Sequence, residues 1–395
     1  MTKRRAASAE PKKNPVTGKW EARVRVGKGA DGKWKWAHPR GDTKREVQAK
    51  LDDVRGAVRT QSYVPPKRQT FADYIDHDWL PVVKLNQKPS TYESYARNLR
   101  VHILPRIGQL QLGDIGPTTL DRLYAELRQS GHRGHRPGAG LSVRSVRYIH
   151  SIVRRSLGDA VKKGRLVRNA ADAADPPDAE SVKRSAKKSM HTWSAAQLEE
   201  FLRRSEGNRY QPAWMFLATT GCRRGEAVGM TWDALNLNTG QCKIRQTITA
   251  INHQVHIEDG TKTDDGRVIQ LDARTVAVLR TLQKVHQAQE RLLLGAGYQD
   301  HGLAFCHPDG RPYHPERFSR EFDRMVARLG MPRIRLHDLR HTWASLALEA
   351  KVPLKVVSER LGHATTSVTA DIYSHVTPPM DSEAAETVAT LIFGL

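Results

Sequence analysis

The sequence predicts a multidomain, mainly α protein with small β-sheets, and three observations carry that prediction. The chain has 395 residues, which suits two or three domains. Apolar residues alternate with period two near the N-terminus, a strand-rich stretch spans about 242–271, and helical spacing prevails elsewhere. Two proline-bearing stretches, at 63–68 and 170–190, separate the patterned regions. The expected order is an N-terminal β-sheet-plus-helix unit over 1–64 and a helical domain over 68–169. A basic linker follows over 170–190, then a mixed α+β domain with a C-terminal tail over 191–395.

In the first unit, Trp20, Ala22, Val24 and Val26 alternate with Glu21, Arg23 and Arg25, as in one half-buried strand with a basic outer face. Ala30-Asp31-Gly32-Lys33 signals a turn, and Lys33-Trp34-Lys35-Trp36 repeats the alternation. Thr43 with Glu46 reads as a capping box for a helix carrying Val47, Leu51, Val54 and Val58.

Four helices are expected in the second region. Thr70 caps Phe71, Tyr74, Ile75 and Trp79; Ser90 caps Tyr92, Tyr95, Leu99 and Ile103. The third runs over about 118–129 and the fourth over about 142–162, with a basic glycine-rich loop, 131–138, between them. Arg144, Arg147, Arg154 and Arg155 recur along the fourth helix, a pattern that suits phosphates and a solvated face alike. The linker holds Asp175-Pro176-Pro177 and the cations Lys183, Arg184, Lys187 and Lys188, enough charge to lie along a nucleic acid.

Lys plus Arg number 64 and Asp plus Glu 42, a formal net charge of +22. Residues 1–60 carry 17 basic and 7 acidic side chains, so +10 of that excess lies there. A polyanionic partner follows, nucleic acid before an anionic membrane. The three cysteines, Cys222, Cys242 and Cys306, share no CxxC spacing, which argues against a disulfide scaffold and a structural zinc site. No run of about 18 apolar residues suggests a membrane span, and the basic N-terminus lacks the apolar core of a secretory signal. A reducing cytoplasm is expected.

Chemistry concentrates in the last region. Thr219-Thr220-Gly221-Cys222-Arg223-Arg224-Gly225-Glu226 follows an apolar run, and Arg223 and Glu226 are three apart, so on a helix the carboxylate orients the guanidinium. Taken alone, that is an ordinary ion pair. His337-Asp338-Leu339-Arg340-His341 places His337, Arg340 and His341 on one helical face; a zinc half-site is the other reading, without a matching carboxylate or Cys set. Leu361-Gly362-His363 suits a helix end, and Tyr373 comes ten residues after His363.

In this order these residues resemble the tyrosine recombinases, often called phage-type integrases. That family's pattern is an Arg in TGxRxxE, a Lys in a β-hairpin, HxxR, a Gly-His, and a nucleophilic Tyr nine or ten residues later. The chain supplies Arg223, Lys262 in Gly260-Thr261-Lys262-Thr263, His337, Arg340, His363 and Tyr373. Lys243 and Arg267 lie in the same strand-rich region as Lys262. The resemblance is strong over 190–380 and rests on layout upstream. It implies an arm-site DNA-binding domain at 1–64, a core-binding domain at 68–169 and a catalytic domain from 191.

The resemblance implies cleavage and rejoining of DNA through a 3′-phosphotyrosyl link, with Tyr373 as nucleophile, Arg223 and Arg340 clamping the phosphate and His363 donating a third hydrogen bond. His337 would take the tyrosine's proton, Lys262 would protonate the leaving oxygen, and Glu226 would orient Arg223. DNA contacts are expected at Arg23, Arg25, Lys33, Lys35, Arg144, Arg147 and Arg154 and at the linker cations. It implies no metal, cofactor or ATP, and a homotetramer on double-stranded attachment sites in a bacterial cytoplasm. An excision factor and a DNA-bending host protein are further candidate partners. The segment Val388-Ala389-Thr390-Leu391-Ile392-Phe393 suits packing on a neighbouring protomer and on its own domain equally.

The leading function is the integrase of a phage, plasmid or conjugative element. The rivals are a catalytically idle DNA-binding regulator on the same scaffold, a type IB topoisomerase, and a metal-dependent nuclease built on the 17 histidines.

Overall fold

The computed structural model describes residues 10–28, 32–60, 69–131, 138–178, 180, 191–259, 266–363, 365–373, 389, 390 and 392. The chain divides into two units, Met1–Val182 and Lys183–Leu395.

The first unit begins with five short strands. β1 (Lys12–Lys13), β2 (Trp20–Glu21) and β5 (Arg40–Gly41) form one antiparallel sheet in the order β1-β2-β5. β3 (Val24–Lys28) pairs with β4 (Trp34–Ala37) in a separate ladder. The single strand expected over 20–26 is therefore two, because Ala22 leaves the β2 ladder and donates its N–H to the Pro39 carbonyl. Its alternation survives: Ala22 and Val24 are buried with Val47 and Leu51 of α1 (Lys44–Arg59), and Trp20 and Val26 pack against them.

The second alternation is inverted. Register places Trp36 opposite Arg25, so the tryptophans share the arginine face and Lys35 falls on the other. That face carries cation–π stacking: the Arg23 guanidinium lies 3.9 Å from the Trp36 ring centre and that of Arg25 lies 5.0 Å from Trp34. Thr43 does cap α1, accepting from the Glu46 N–H, while the Glu46 carboxylate accepts from Asp42.

A helical core follows, built from α2 (71–86), α3 (89–107), α4 (Pro117–Ser130) and α5 (Val143–Lys162). Thr70 caps α2 in a box closed by Asp73. Ser90 is not a cap: Pro89 opens α3 with Lys88 outside it, since proline suits the first helical turn where no N–H partner is needed. α2 and α3 each widen into a π turn, at Tyr74–Trp79 and Leu99–Ile103. Pro81 and Pro105 follow directly; a proline lacks the N–H and crowds the preceding turn, and the wider turn absorbs both defects. Ala170, Ala171 and Ala174 are buried in the same core.

The second unit has α6 (Ala195–Arg204), α7 (Gln211–Thr220), α8 (Arg224–Val228) and the strands β6 (Leu235–Asn236) to β10 (Arg267–Gln270). β7 (Gln241–Ile244) is central in an antiparallel sheet ordered β10-β7-β6, and β8 (Gln246–Ile251) pairs with β9 (Gln254–Asp259). The strand-rich stretch lies where the sequence places it. α9 (273–294), α10 (Pro315–Arg328), α11 (Asp338–Glu349), α12 (Leu354–Leu361) and α13 (Thr366–Tyr373) complete the unit. Its core centres on rings: Trp193, Phe201, Trp214 and Phe322 meet with centroids 5.1–5.9 Å apart. Trp193 also ties this core to α11, because its N–H donates to Thr342 Oγ1 at 3.2 Å.

Phe201 has no exposed surface and touches Trp193, Trp214 and Phe322. Phe201→Ala is expected to cost about 3–5 kcal/mol in denaturant unfolding; a loss under about 1 kcal/mol would remove the ring cluster from the centre of this core.

Candidate active site

Two turns build the site. α7 ends at Gly221, in the left-handed region with φ +66°. A Cβ there would stand 2.8 Å from the Trp343 ring, so both conformation and space require glycine. α12 ends at Gly362, with φ +69°. The Gly362 N–H donates to Glu359 and the His363 N–H to Ser358, the paired hydrogen bonds of a Schellman ending. A Cβ on Gly362 would approach Arg267 Nη1 to 2.9 Å.

Arg340, on the first turn of α11, joins the two turns. Its Nη1 donates to the Gly221 carbonyl at 2.8 Å and its Nη2 to the Leu361 carbonyl at 2.7 Å. These carbonyls end α7 and α12, where the helix dipoles concentrate partial negative charge. Arg340 is only 5% exposed, and burial with nearby Arg223 brings its pKa down to about 10, so it stays cationic at neutral pH.

Arg223 caps α8 instead of lying within it, as a helical spacing to Glu226 would have had it. Its backbone N–H donates to Glu226 Oε2 at 2.7 Å, its Nη1 to Oε1 at 2.8 Å, and its Nη2 to the Gly362 carbonyl at 2.8 Å. The Glu226 carboxylate also receives Arg267 Nη1 at 3.0 Å and Nη2 at 2.6 Å, a bidentate pair. Burial pushes its pKa up, but the Arg267 hydrogen bonds and charge, with Arg223, hold it below the usual carboxylate range. Arg267 Nε donates to the Arg360 carbonyl, and Arg360 Nη2 donates to Thr219 and Gln270. Sequence reasoning missed Arg267 and Arg360 as supports: each partner lies many tens of residues away and leaves no local spacing signal.

The histidines converge here. His337 caps α11, and its ring meets that of His341 edge-on with centroids 5.1 Å apart. Burial, then Arg340, lowers the His337 pKa. His363 Nδ1 stands 2.7 Å from Thr369 Oγ1. Burial first, then Arg340 and Arg223, bring the His363 pKa down to about 4; burial and His337 do the same for His341. The Asp338 carboxylate is spent on Arg335, whose N–H, Nε and Nη2 all donate to it. Cys222 is buried, its thiol pKa pushed up to about 12, which leaves it unreactive beside Arg223.

The structure thus brings Arg223, Glu226, His337, Arg340 and His363 together. Tyr373 is the last residue of α13, and its side chain lies outside the described residues. Lys262 also lies outside them, between β9 and β10. So do Lys183, Arg184, Lys187 and Lys188, and the tail segment 388–393 apart from 389, 390 and 392. Of the other expected DNA contacts, Arg23, Lys33, Lys35, Arg144 and Arg154 are exposed and Arg25 is half-buried. Arg147 donates to the Pro177 carbonyl and Arg154 to Asp172, so these two also hold the segment after α5. Among the described residues, no cluster of three His, Cys, Asp or Glu side chains could hold a metal ion, and no helix is long and apolar enough to cross a membrane.

Residues 190–379 match the phage integrase family, and residues 70–128 match the phage integrase N-terminal SAM-like domain. The chain is 25% identical over 382 residues to a tyrosine recombinase XerC-like protein of Caldanaerobacter subterraneus subsp. tengcongensis, spanning 93% of this chain and 95% of that one. It is 27% identical over 366 residues to an integrase of Streptomyces ambofaciens, spanning 90% and 89%. The Tn1549 transposon integrase in complex with a circular intermediate DNA shares its fold, with TM-score 0.65 at 17% identity over 81% of this chain and 100% of that one. So does lambda integrase, solved as a tetramer bound to a Holliday junction, with TM-score 0.57 at 15% identity over 93% and 96%.

The pKa of about 4 at His341 and His363 predicts neutral imidazoles throughout the physiological range. Both lie below the unfolded value of about 6.5. Their contribution to stability is therefore complete above that pH and is lost as pH falls from about 6.5 toward 4. Histidine NMR titration of the folded protein checks this; midpoints near about 6.5 would show that neither burial nor the neighbouring charges act on these rings.

Proposed function

The chain belongs to the phage integrase family, and we propose that it is a site-specific DNA recombinase, the integrase of a phage, plasmid or conjugative element, with Tyr373 as its nucleophile. The observation that carries this reading is the charge of the site. Two guanidiniums, Arg223 and Arg340, flank the Gly362–His363 turn; Glu226 bonds Arg223 and shares its charge with Arg267, and Arg340 donates to backbone carbonyls. The charge left over suits an entering phosphodiester anion.

An arginine has five N–H donors. Arg340 gives two to carbonyls, one from each Nη, which leaves one on each Nη and the Nε for a ligand. Such a fork fits two phosphate oxygens where a lysine cannot. Charge grows on the non-bridging oxygens as the pentavalent centre forms, and donors already held in place gain strength at that moment.

In the proposed step the Tyr373 oxygen bonds to phosphorus, the bond to the 5′ oxygen breaks, and a 3′-phosphotyrosine and a 5′ hydroxyl result. A tyrosine pKa of about 10 leaves roughly 0.1% ionised at pH 7, so the proton must move as the bond forms. His337, its pKa lowered, is a neutral imidazole suited to accept it. Lys262 supplies the proton for the leaving oxygen. Reversal by another strand's 5′ hydroxyl reseals the DNA with no ATP, because the covalent link conserves the phosphodiester. Cationic side chains do the work a metal does elsewhere.

Strand exchange breaks four strands, so we assign a homotetramer on two double-stranded attachment sites. The N-terminal sheet, with Arg23 and Arg25 stacked on Trp36 and Trp34, is assigned to arm-site DNA. The arginines of α5 and the linker cations are assigned to the core site. An excision factor and a DNA-bending host protein belong to the same proposal, as does action in a bacterial cytoplasm.

The test is covalent trapping on a nicked, labelled attachment site in EDTA, resolved on a denaturing gel. Wild type is expected to give a protease-sensitive slow band. Tyr373→Phe should give none while binding DNA within a few fold; a band from that variant would displace Tyr373 as nucleophile. Arg340→Ala is expected to slow single-turnover cleavage by roughly 10²–10³-fold, the scale for losing one preorganised donor. Near-normal cleavage in a folded Arg340→Ala protein would refute the clamp.

A further inference from the structure

His363 is held through one ring nitrogen. Its Nδ1 stands 2.7 Å from the hydroxyl of Thr369, a side chain with no exposed surface. Thr369 belongs to α13, four residues before Tyr373, and positions i and i+4 share a helical face. The hydrogen bond thus joins the helix that bears the nucleophile to the turn that ends α12.

A neutral imidazole carries one proton. The nitrogen that bears it donates, and the other can only accept. Burial, then Arg340, Arg223, His341 and Arg267, keep His363 neutral at pH 7, so its tautomer decides what it offers. To donate toward a phosphate oxygen from Nε2, the ring must accept at Nδ1. A carbonyl or carboxylate at that position would accept from Nδ1 and impose the opposite tautomer. A hydroxyl has a proton to give.

We propose that Thr369 is a positioning residue whose hydroxyl donates to His363 Nδ1 and so holds the Nε2–H tautomer that binds the scissile phosphate. The proposal rests on the recombinase reading. His363 touches the reacting phosphate; Thr369 acts through it. The same bond sets α13, and with it the backbone of Tyr373, relative to Gly362 and hence to Arg223, whose Nη2 holds the Gly362 carbonyl.

Two variants separate the hydroxyl from the packing. Thr369→Val removes the donor and keeps the shape; Thr369→Ser keeps the donor. The first readout is the side-chain 15N spectrum of His363 in DNA-free protein at pH 7.5, assigned with His363→Gln. Wild type and Thr369→Ser are expected to show Nε2–H, and Thr369→Val a shift toward Nδ1–H. The second is single-turnover covalent capture of a nicked attachment site. Thr369→Val is expected to be slower by about tenfold or more, the scale for losing the group that orients a functional histidine. Thr369→Ser should remain within about threefold, and DNA affinity should be unchanged in both.

A wild-type spectrum showing Nδ1–H would overturn the proposal, whether or not Thr369→Val folds. Slowing of Thr369→Ser as large as that of Thr369→Val, with Nε2–H kept in both, would assign the effect to packing around Thr369 and overturn it too, as would unchanged tautomer and cleavage in Thr369→Val. Failure of wild type to form any covalent complex would refute the recombinase reading itself. The spectrum would still decide the tautomer.

Discussion

The candidate site of the second unit depends on one buried carboxylate. Glu226 is 3% exposed and shared between Arg223 and Arg267. An isolated carboxylate in that position would lose its hydration with nothing in return, and removing one partner from such a buried pair typically costs about 3–5 kcal/mol. With both guanidiniums in place it stays ionised. It neutralises only part of their charge, so the site keeps a positive field aimed at solvent, where Arg223 is half exposed. The lowered pKa values of His363 and Arg340 come first from burial and then from that field.

The second constraint is backbone. Arg340 and Arg223 hold carbonyls at Gly221, Leu361 and Gly362, and Arg267 holds the carbonyl of Arg360. Helix ends leave carbonyls without intrahelical partners, and a guanidinium placed there satisfies them. The site is therefore cross-linked by its own functional side chains. Gly221 and Gly362 are required because the turns are left-handed and because Trp343 and Arg267 occupy the space a Cβ would take. Position and charge share the same atoms, so a change at either glycine moves an arginine of the candidate site.

Local signals were legible where the physics is local. Thr70 and Thr43 cap the helices their spacing indicated, α5 begins within a residue of the expected start, and the strand-rich stretch appears between 241 and 270. The failures share a cause. Ser90 lost to Pro89 because proline sets the first turn without needing a side-chain cap. Trp34 and Trp36 left the expected face because a strand's face is set by register, and the ladder here pairs Trp36 with Arg25. Alternation within one strand cannot say which side its partner buries.

The sequence by itself carried the resemblance to the family and named the candidate residues of the site. Arg223, Glu226, His337, Arg340, His363 and Tyr373 are a rare set of residue types in a fixed order, and order survives in one dimension. Only the tertiary structure decided how they are supported. Arg267 reaches Glu226 across 41 positions, Arg340 reaches Gly221 across 119, and Arg223 reaches Gly362 across 139. Such contacts are made by whichever donors and acceptors folding brings within about 3 Å, and distance along the chain carries no trace of them. The partner of His363 was hidden for the same reason. A threonine six residues away is unremarkable until the turn at Gly362 folds α13 back and places its hydroxyl against Nδ1.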